Sequence, residues 1–147
     1  MLRIFTWMVF ITVAVLLAVV VTAPIWKENI HIYQAGALGE LEALYAMEEN
    51  YQHDHGEYAL TWQDLGAPLG AGIRPDGRLG WSEYTFTLVP VVGSSRDHAG
   101  YLIIGRPMEW GWLRWRSFLL NDRGQIRATT RDREPTEHDP IFTIVPR

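Results

Sequence analysis

The chain has 147 residues, of which 13 are basic and 17 acidic, for a formal net charge of −4. No basic stripe is present to neutralise phosphates, so nothing points to a nucleic-acid partner. There is no cysteine, which excludes disulfides, thiolate metal sites, a thiol nucleophile and covalent c-type haem attachment.

Residues 4–26 carry no charge and are rich in Val, Leu, Ile and Phe, with Arg3 before them and Lys27 after. About 20 apolar residues in a helix span a bilayer core, so residues 1–26 are expected to form a transmembrane helix. A cleaved secretory signal is the alternative, since Val21-Thr22-Ala23 ends on a small residue. Pro24 after such a cut and the length of the run favour an uncleaved anchor. Trp7 and Trp26 lie near the ends of the run, where interfacial aromatics belong. Arg3 on one side and the acidic remainder on the other favour a cytoplasmic N-terminus and an exported C-terminal domain. The expected location is a bacterial inner membrane, with residues 27–147 as one soluble, periplasmic domain.

Beyond Pro24, residues Ile30, Ala37, Leu41, Leu44, Tyr45 and Tyr51 recur at helical spacing and form one apolar stripe. Glu28, Gln34, Glu40, Glu42, Glu49 and Gln52 are expected to face mostly away. Gly36 and Gly39 weaken the helix and suggest close packing or a bend. Its end is expected near His53-Asp54-His55, with Gly56 as cap. Thr61 is placed to cap a short helical turn, with Asp64 reaching back to it. Residues 66–80, rich in Gly and Pro, read as a loop.

Residues 82–89 alternate, with Tyr84, Phe86 and Leu88 on one face and Glu83, Thr85 and Thr87 on the other, which predicts a half-buried strand. Residues 90–97 read as a turn region. A second strand is expected over 100–106, stopped by Pro107. A third covers 115–121, and Asp122-Arg123-Gly124 marks a hairpin into a fourth over 125–129. Residues 141–145, framed by Pro140 and Pro146, are expected to add an edge strand. The fold class is α+β: a long N-terminal helix, transmembrane then amphipathic, packed on a small antiparallel sheet.

Several groups carry possible chemistry. His53-Asp54-His55 holds two imidazoles and a carboxylate, but His residues two apart do not share a helix face, and a polar helix end is the simpler reading. His31 could ligate a haem or pigment in a partner, or be a solvated interfacial residue. Glu48, Glu49 and Asp54 read as a solvated helix face rather than an acid–base pair. No nucleophile elbow, triad or phosphate loop is evident, so no catalytic, cofactor-binding or metal-binding residues are assigned and no cofactor is expected. The segment Trp110-Gly111-Trp112-Leu113-Arg114-Trp115-Arg116 joins Trp and Arg, the types most enriched at binding hot spots. Trp110, Trp112, Arg114 and Trp115 are therefore the candidate protein contacts, although some of these indoles are expected to fill the core.

Residues 37 to about 131 resemble the type IV pilins and type II secretion pseudopilins. The resemblance rests on Ala37-Leu38, Leu41, Leu44 and Glu49-Asn50-Tyr51, then His55-Gly56-Glu57-Tyr58-Ala59 and Leu65-Gly66. It continues through Tyr84-Thr85-Phe86-Thr87-Leu88, Tyr101, Gly105-Arg106-Pro107, Arg116-Ser117-Phe118 and Asn121-Asp122-Arg123-Gly124-Gln125-Ile126-Arg127. It implies a helix, half in the membrane and half in solution, packed on a small antiparallel sheet. Unlike that family's pattern, residues 1–21 hold neither a Gly nor a Glu, so no peptidase site and no assembly Glu are marked. The functional expectation is a non-catalytic single-pass protein serving as a structural, accessory subunit of a larger membrane complex. Its partners would be the lipid bilayer and other membrane-protein subunits, with no nucleic acid and no small-molecule substrate. The alternative is a pseudopilin of a secretion or pilus machine. A membrane-tethered enzyme or ligand-binding module is the third reading.

Overall fold

The computed structural model describes residues 2–91, 100–108 and 115–145, and within these the side chains outside 2–10, 18–31 and 144. The chain divides into two compact units, Met1–Tyr33 and Gln34–Arg147. Backbone helix α1 covers Leu2–His55. In the first unit Ile11, Val13, Val15, Leu16 and Leu17 are all exposed.

Among the described residues no helix is long and apolar enough to cross a membrane. The apolar side chains described in the first unit run over 11–17, whereas a span needs about 20 in succession. Residues 32–55 are interrupted by Gln34, Glu40, Glu42, Glu48 and Glu49. This overturns the expected transmembrane helix over 1–26. With it go the single-pass topology, the cytoplasmic N-terminus, the periplasmic domain and the inner-membrane location. The α+β class stands, as helices and an antiparallel sheet.

The second unit is a seven-stranded antiparallel sheet in the order β1-β2-β3-β4-β5-β6-β7, each strand hydrogen-bonded to its sequence neighbour. The strands are β1 (Gly72–Ile73), β2 (Leu79–Trp81), β3 (Tyr84–Val91), β4 (Gly100–Pro107), β5 (Ser117–Asn121), β6 (Gln125–Thr129) and β7 (Ile141–Ile144). One cluster of buried side chains joins Ala37, Leu41, Leu44 and Tyr45 of α1 to Phe86, Tyr101, Ile103, Phe118, Leu120 and Ile126 of the sheet. The apolar stripe therefore does what its spacing dictates and buries against the pleated face. Three polar side chains lie buried on the same helix: Gln34 and Glu40, expected to face away, and Glu48, expected to be solvated. Gly36 and Gly39 have nothing within 4 Å of where a Cβ would stand, so neither serves close packing.

α1 ends at His55, and Gly56, at φ +81°, donates its N–H to the Gln52 carbonyl. Thr61 caps the short helix α2 (Trp62–Leu65), its Oγ1 accepting the Asp64 N–H at 3.2 Å. The Asp64 carboxylate reaches back to the Thr61 hydroxyl rather than to a backbone N–H.

The expected loop over 66–80 contains the β1–β2 hairpin, closed by the turn at Pro75-Asp76-Gly77. β3 continues through Pro90, which pairs with Tyr101, so the strand outlasts the expected turn. Alternation is clean in β4, where Tyr101, Ile103, Gly105 and Pro107 are buried. All five residues of β5 are buried, as suits a central strand covered on both faces.

Candidate functional site

Trp110, Trp112 and Arg114 lie outside the described residues. Trp115 is half-buried, its ring centroid 6.1 Å from that of Tyr84 at the margin of the core. The side chains of Trp7, Trp26 and His31 also lie outside the described set. His53 and His55 are exposed. The His55 ring stacks on Tyr51 at 4.0 Å, and its Nδ1 donates to the Tyr51 carbonyl at 3.0 Å. Among the described residues no group of His, Asp and Glu is placed to hold a metal ion.

The structure instead brings together residues around β7, the last strand of the sheet. β7 is an edge strand without a charge. Its pairing with β6 shifts register: Ile126 faces Thr143 and Arg127 faces Ile141, which leaves Phe142 as the extra, bulged residue. A bulge re-aims the side chain it carries. Phe142 meets Phe118 edge-on at 5.9 Å and lies under the Arg116 guanidinium, 5.0 Å from the ring centroid. Arg116 also donates to the Gln34 amide oxygen. Ile141 and Phe142 nonetheless remain 48% and 43% exposed, an apolar pair on an edge that could accept another strand.

The polar wall of this region is the chain over 130–140. Asp139 organises it. Its carboxylate accepts from both terminal nitrogens of the Arg133 guanidinium, from the Thr136 N–H at 2.7 Å and from the Thr136 hydroxyl. The Arg133 guanidinium, with the Thr136 N–H, holds its pKa down at about 2. Arg127 donates to the Asp139 carbonyl at 2.8 Å. Between this wall and β7 lies an open groove of about 570 Å³, lined by Arg116, Thr129, Arg131, His138, Ile141 and Phe142 among others.

A second polar site is enclosed under α1. Glu48 is fully buried, and its Oε2 accepts the Ala59 N–H at 3.1 Å. Its Oε1 and the hydroxyls of Tyr45 and Tyr101 have no hydrogen-bond partner among the described residues. Burial pushes the Glu48 carboxyl up to about 7, against the Ala59 hydrogen bond and with a small addition from Glu49. Burial, then Glu48 and Glu49, raise the Tyr101 phenol strongly. Tyr58 crosses Tyr101 edge-on at 4.9 Å and donates to Glu49.

Neither place was assigned from the sequence. A signal for Glu48 was present, since it stands seven residues after Leu41 and four after Leu44, on the apolar stripe itself. The groove joins residues far apart in the chain, and only the uncharged, Pro-flanked run 141–145 hinted at it. No protein family, no curated protein and no solved structure matches this chain.

Proposed function

We propose that the chain is a non-catalytic structural subunit that works by docking to another protein. One observation carries this reading: β7 ends the sheet as an uncharged edge with Ile141 and Phe142 exposed. Natural sheets usually blunt such edges with charge, because unpaired N–H and C=O groups template further pairing. The Val145 N–H bonds to the Gly124 carbonyl. By strand alternation the N–H of Ile144 points outward, free for a partner strand. The resemblance to pilins and pseudopilins, which are assembly subunits, supports the same reading.

The test is native mass spectrometry of the tagged full-length protein, purified gently from its source, beside the variant Ile144→Pro. Proline removes the outward N–H without touching the bond from Val145. The wild type is expected in a stoichiometric complex, and Ile144→Pro as a free chain that still melts cooperatively. A wild-type protein recovered alone would overturn the proposal.

A further inference from the structure

We infer that the groove beside β7 takes an acidic, extended segment of a partner polypeptide, whose carboxylate side chains meet Arg116 and Arg131 as its backbone adds to the edge strand. This rests on the docking reading above and names the chemistry of the partner.

The whole chain is net acidic, at −4. The groove reverses that sign: Arg116, Arg131 and Arg133 line it against one carboxylate, Asp139. Arg133 is committed to that carboxylate. The exposed Asp132 is likewise paired, with Arg106. Glu134 and Glu137 are exposed and do not line the groove. Arg116 and Arg131 have no carboxylate within ion-pair distance among the described residues. Two cations thus face a cavity of about 570 Å³ without internal neutralisation.

The floor of the groove is shaped to match. Arg116 is held in place by its stack on Phe142 and its bond to Gln34. A guanidinium oriented in this way loses little entropy when it grips a carboxylate. Phe142 and Ile141 supply apolar surface next to the charge. A segment that carries both carboxylate and apolar side chains meets the guanidinium and the ring beneath it together. Nucleic acid fits less well. Its affinity comes from many phosphate contacts, and outside this groove it would face an acidic protein.

The experiment uses the full-length chain and fluorescence anisotropy. The probes are a short labelled peptide alternating valine and glutamate, its valine–lysine counterpart, a single-stranded oligothymidylate, and inorganic phosphate as competitor. The expected result is binding of the glutamate peptide alone, weakening as ionic strength rises. Arg131→Glu, at an exposed site, should lower that affinity at least about tenfold, and Ile144→Pro should abolish it. Absence of glutamate-peptide binding, or indifference to Arg131→Glu, overturns the inference. If the Arg131 variant still forms the native complex while Ile144→Pro does not, docking at the edge survives and its acidic selectivity falls. Binding lost in Arg131→Glu but kept in Ile144→Pro means an anion site without strand addition, and it overturns the inference too. Tighter binding of the oligothymidylate, or displacement of the peptide by phosphate, does the same.

Discussion

The Glu48 carboxylate accepts the Ala59 N–H at 3.1 Å, so a buried acid ties α1 to the chain that leaves it. The carboxyl has little else to hold a charge: among the described residues its other oxygen finds no partner, and neither do the two tyrosine hydroxyls that share the site.

This arrangement makes stability depend on pH. The folded pKa of Glu48 is about 7 against 4.5 unfolded. A raised pKa means that the folded state binds the proton more tightly, so the neutral form is the one that favours folding. That contribution is complete below 4.5 and is lost as pH rises through about 7. A tenfold change in proton affinity is worth about 1.4 kcal/mol, and with screening the loss comes to about 2 kcal/mol. Glu48→Gln keeps an acceptor for Ala59 and never ionises. We expect it to be more stable than wild type by about 2 kcal/mol above neutral pH, with little difference in acid. Urea melts across that range would show it, and parallel pH curves for the two proteins would refute it.

Gly105 sits in β4 against a fully buried ring. A Cβ there would stand 2.9 Å from Cε1 of Phe86 and 3.2 Å from its Cδ1. Phe86 is enclosed by the core and has nowhere to retreat. Gly105→Ala should cost about 1–3 kcal/mol by overpacking, measured as a shift of the denaturation midpoint at unchanged slope. An unchanged midpoint would mean that the core yields at Phe86.

Asn121 closes the β5–β6 hairpin from its side chain. Its Oδ1 accepts the N–H of Arg123 at 3.1 Å and that of Gln125 at 3.0 Å. Asn121→Ala leaves both donors to find water in a partly buried turn, at a cost of about 1–2 kcal/mol. Faster amide exchange at Gln125 should report the loss.

Asp139 behaves oppositely to Glu48. Its pKa is depressed from 3.8 to about 2, chiefly by Arg133. Its contribution is present above 3.8 and disappears as pH falls through about 2. The segment over 130–140 should therefore loosen in that acid window, seen as faster proteolysis by pepsin. Asp139→Asn should show the same loosening at neutral pH.

Much of this sheet is legible in the sequence because its signals are local. Alternation marks β3 and β4, and Asp122-Arg123-Gly124 marks the β5–β6 hairpin, with Gly124 at φ +72°. The β1–β2 hairpin is hidden because the glycines and prolines around its two short strands resemble loop chemistry. Only Asp76-Gly77, joining Ile73 to Leu79, betrays it. Glu48 was misjudged because a carboxylate on a helix is normally solvated. Here the stripe it stands on, and the Ala59 N–H brought back from beyond the helix, decide its burial. The groove was invisible because Arg116 and Phe142 meet only through a bulge, and a bulge has no signature in this sequence. The expected membrane helix rested on the uncharged run over 4–26 and its flanking Arg3, Lys27 and Trp residues, and among the described residues no helix is long and apolar enough to bear it out.

Each strand pairs with the next, so local hairpins suffice to build the sheet as the chain is made. The core, however, closes only with Val145, whose N–H reaches Gly124 and whose side chain joins the same cluster as Tyr45. The helix is the first of these parts to leave the ribosome and the closing strand is the last. Until the strands that cover it have been made, then, the stripe of Ala37, Leu41 and Leu44 waits exposed, and the nascent domain is a natural client for holding chaperones.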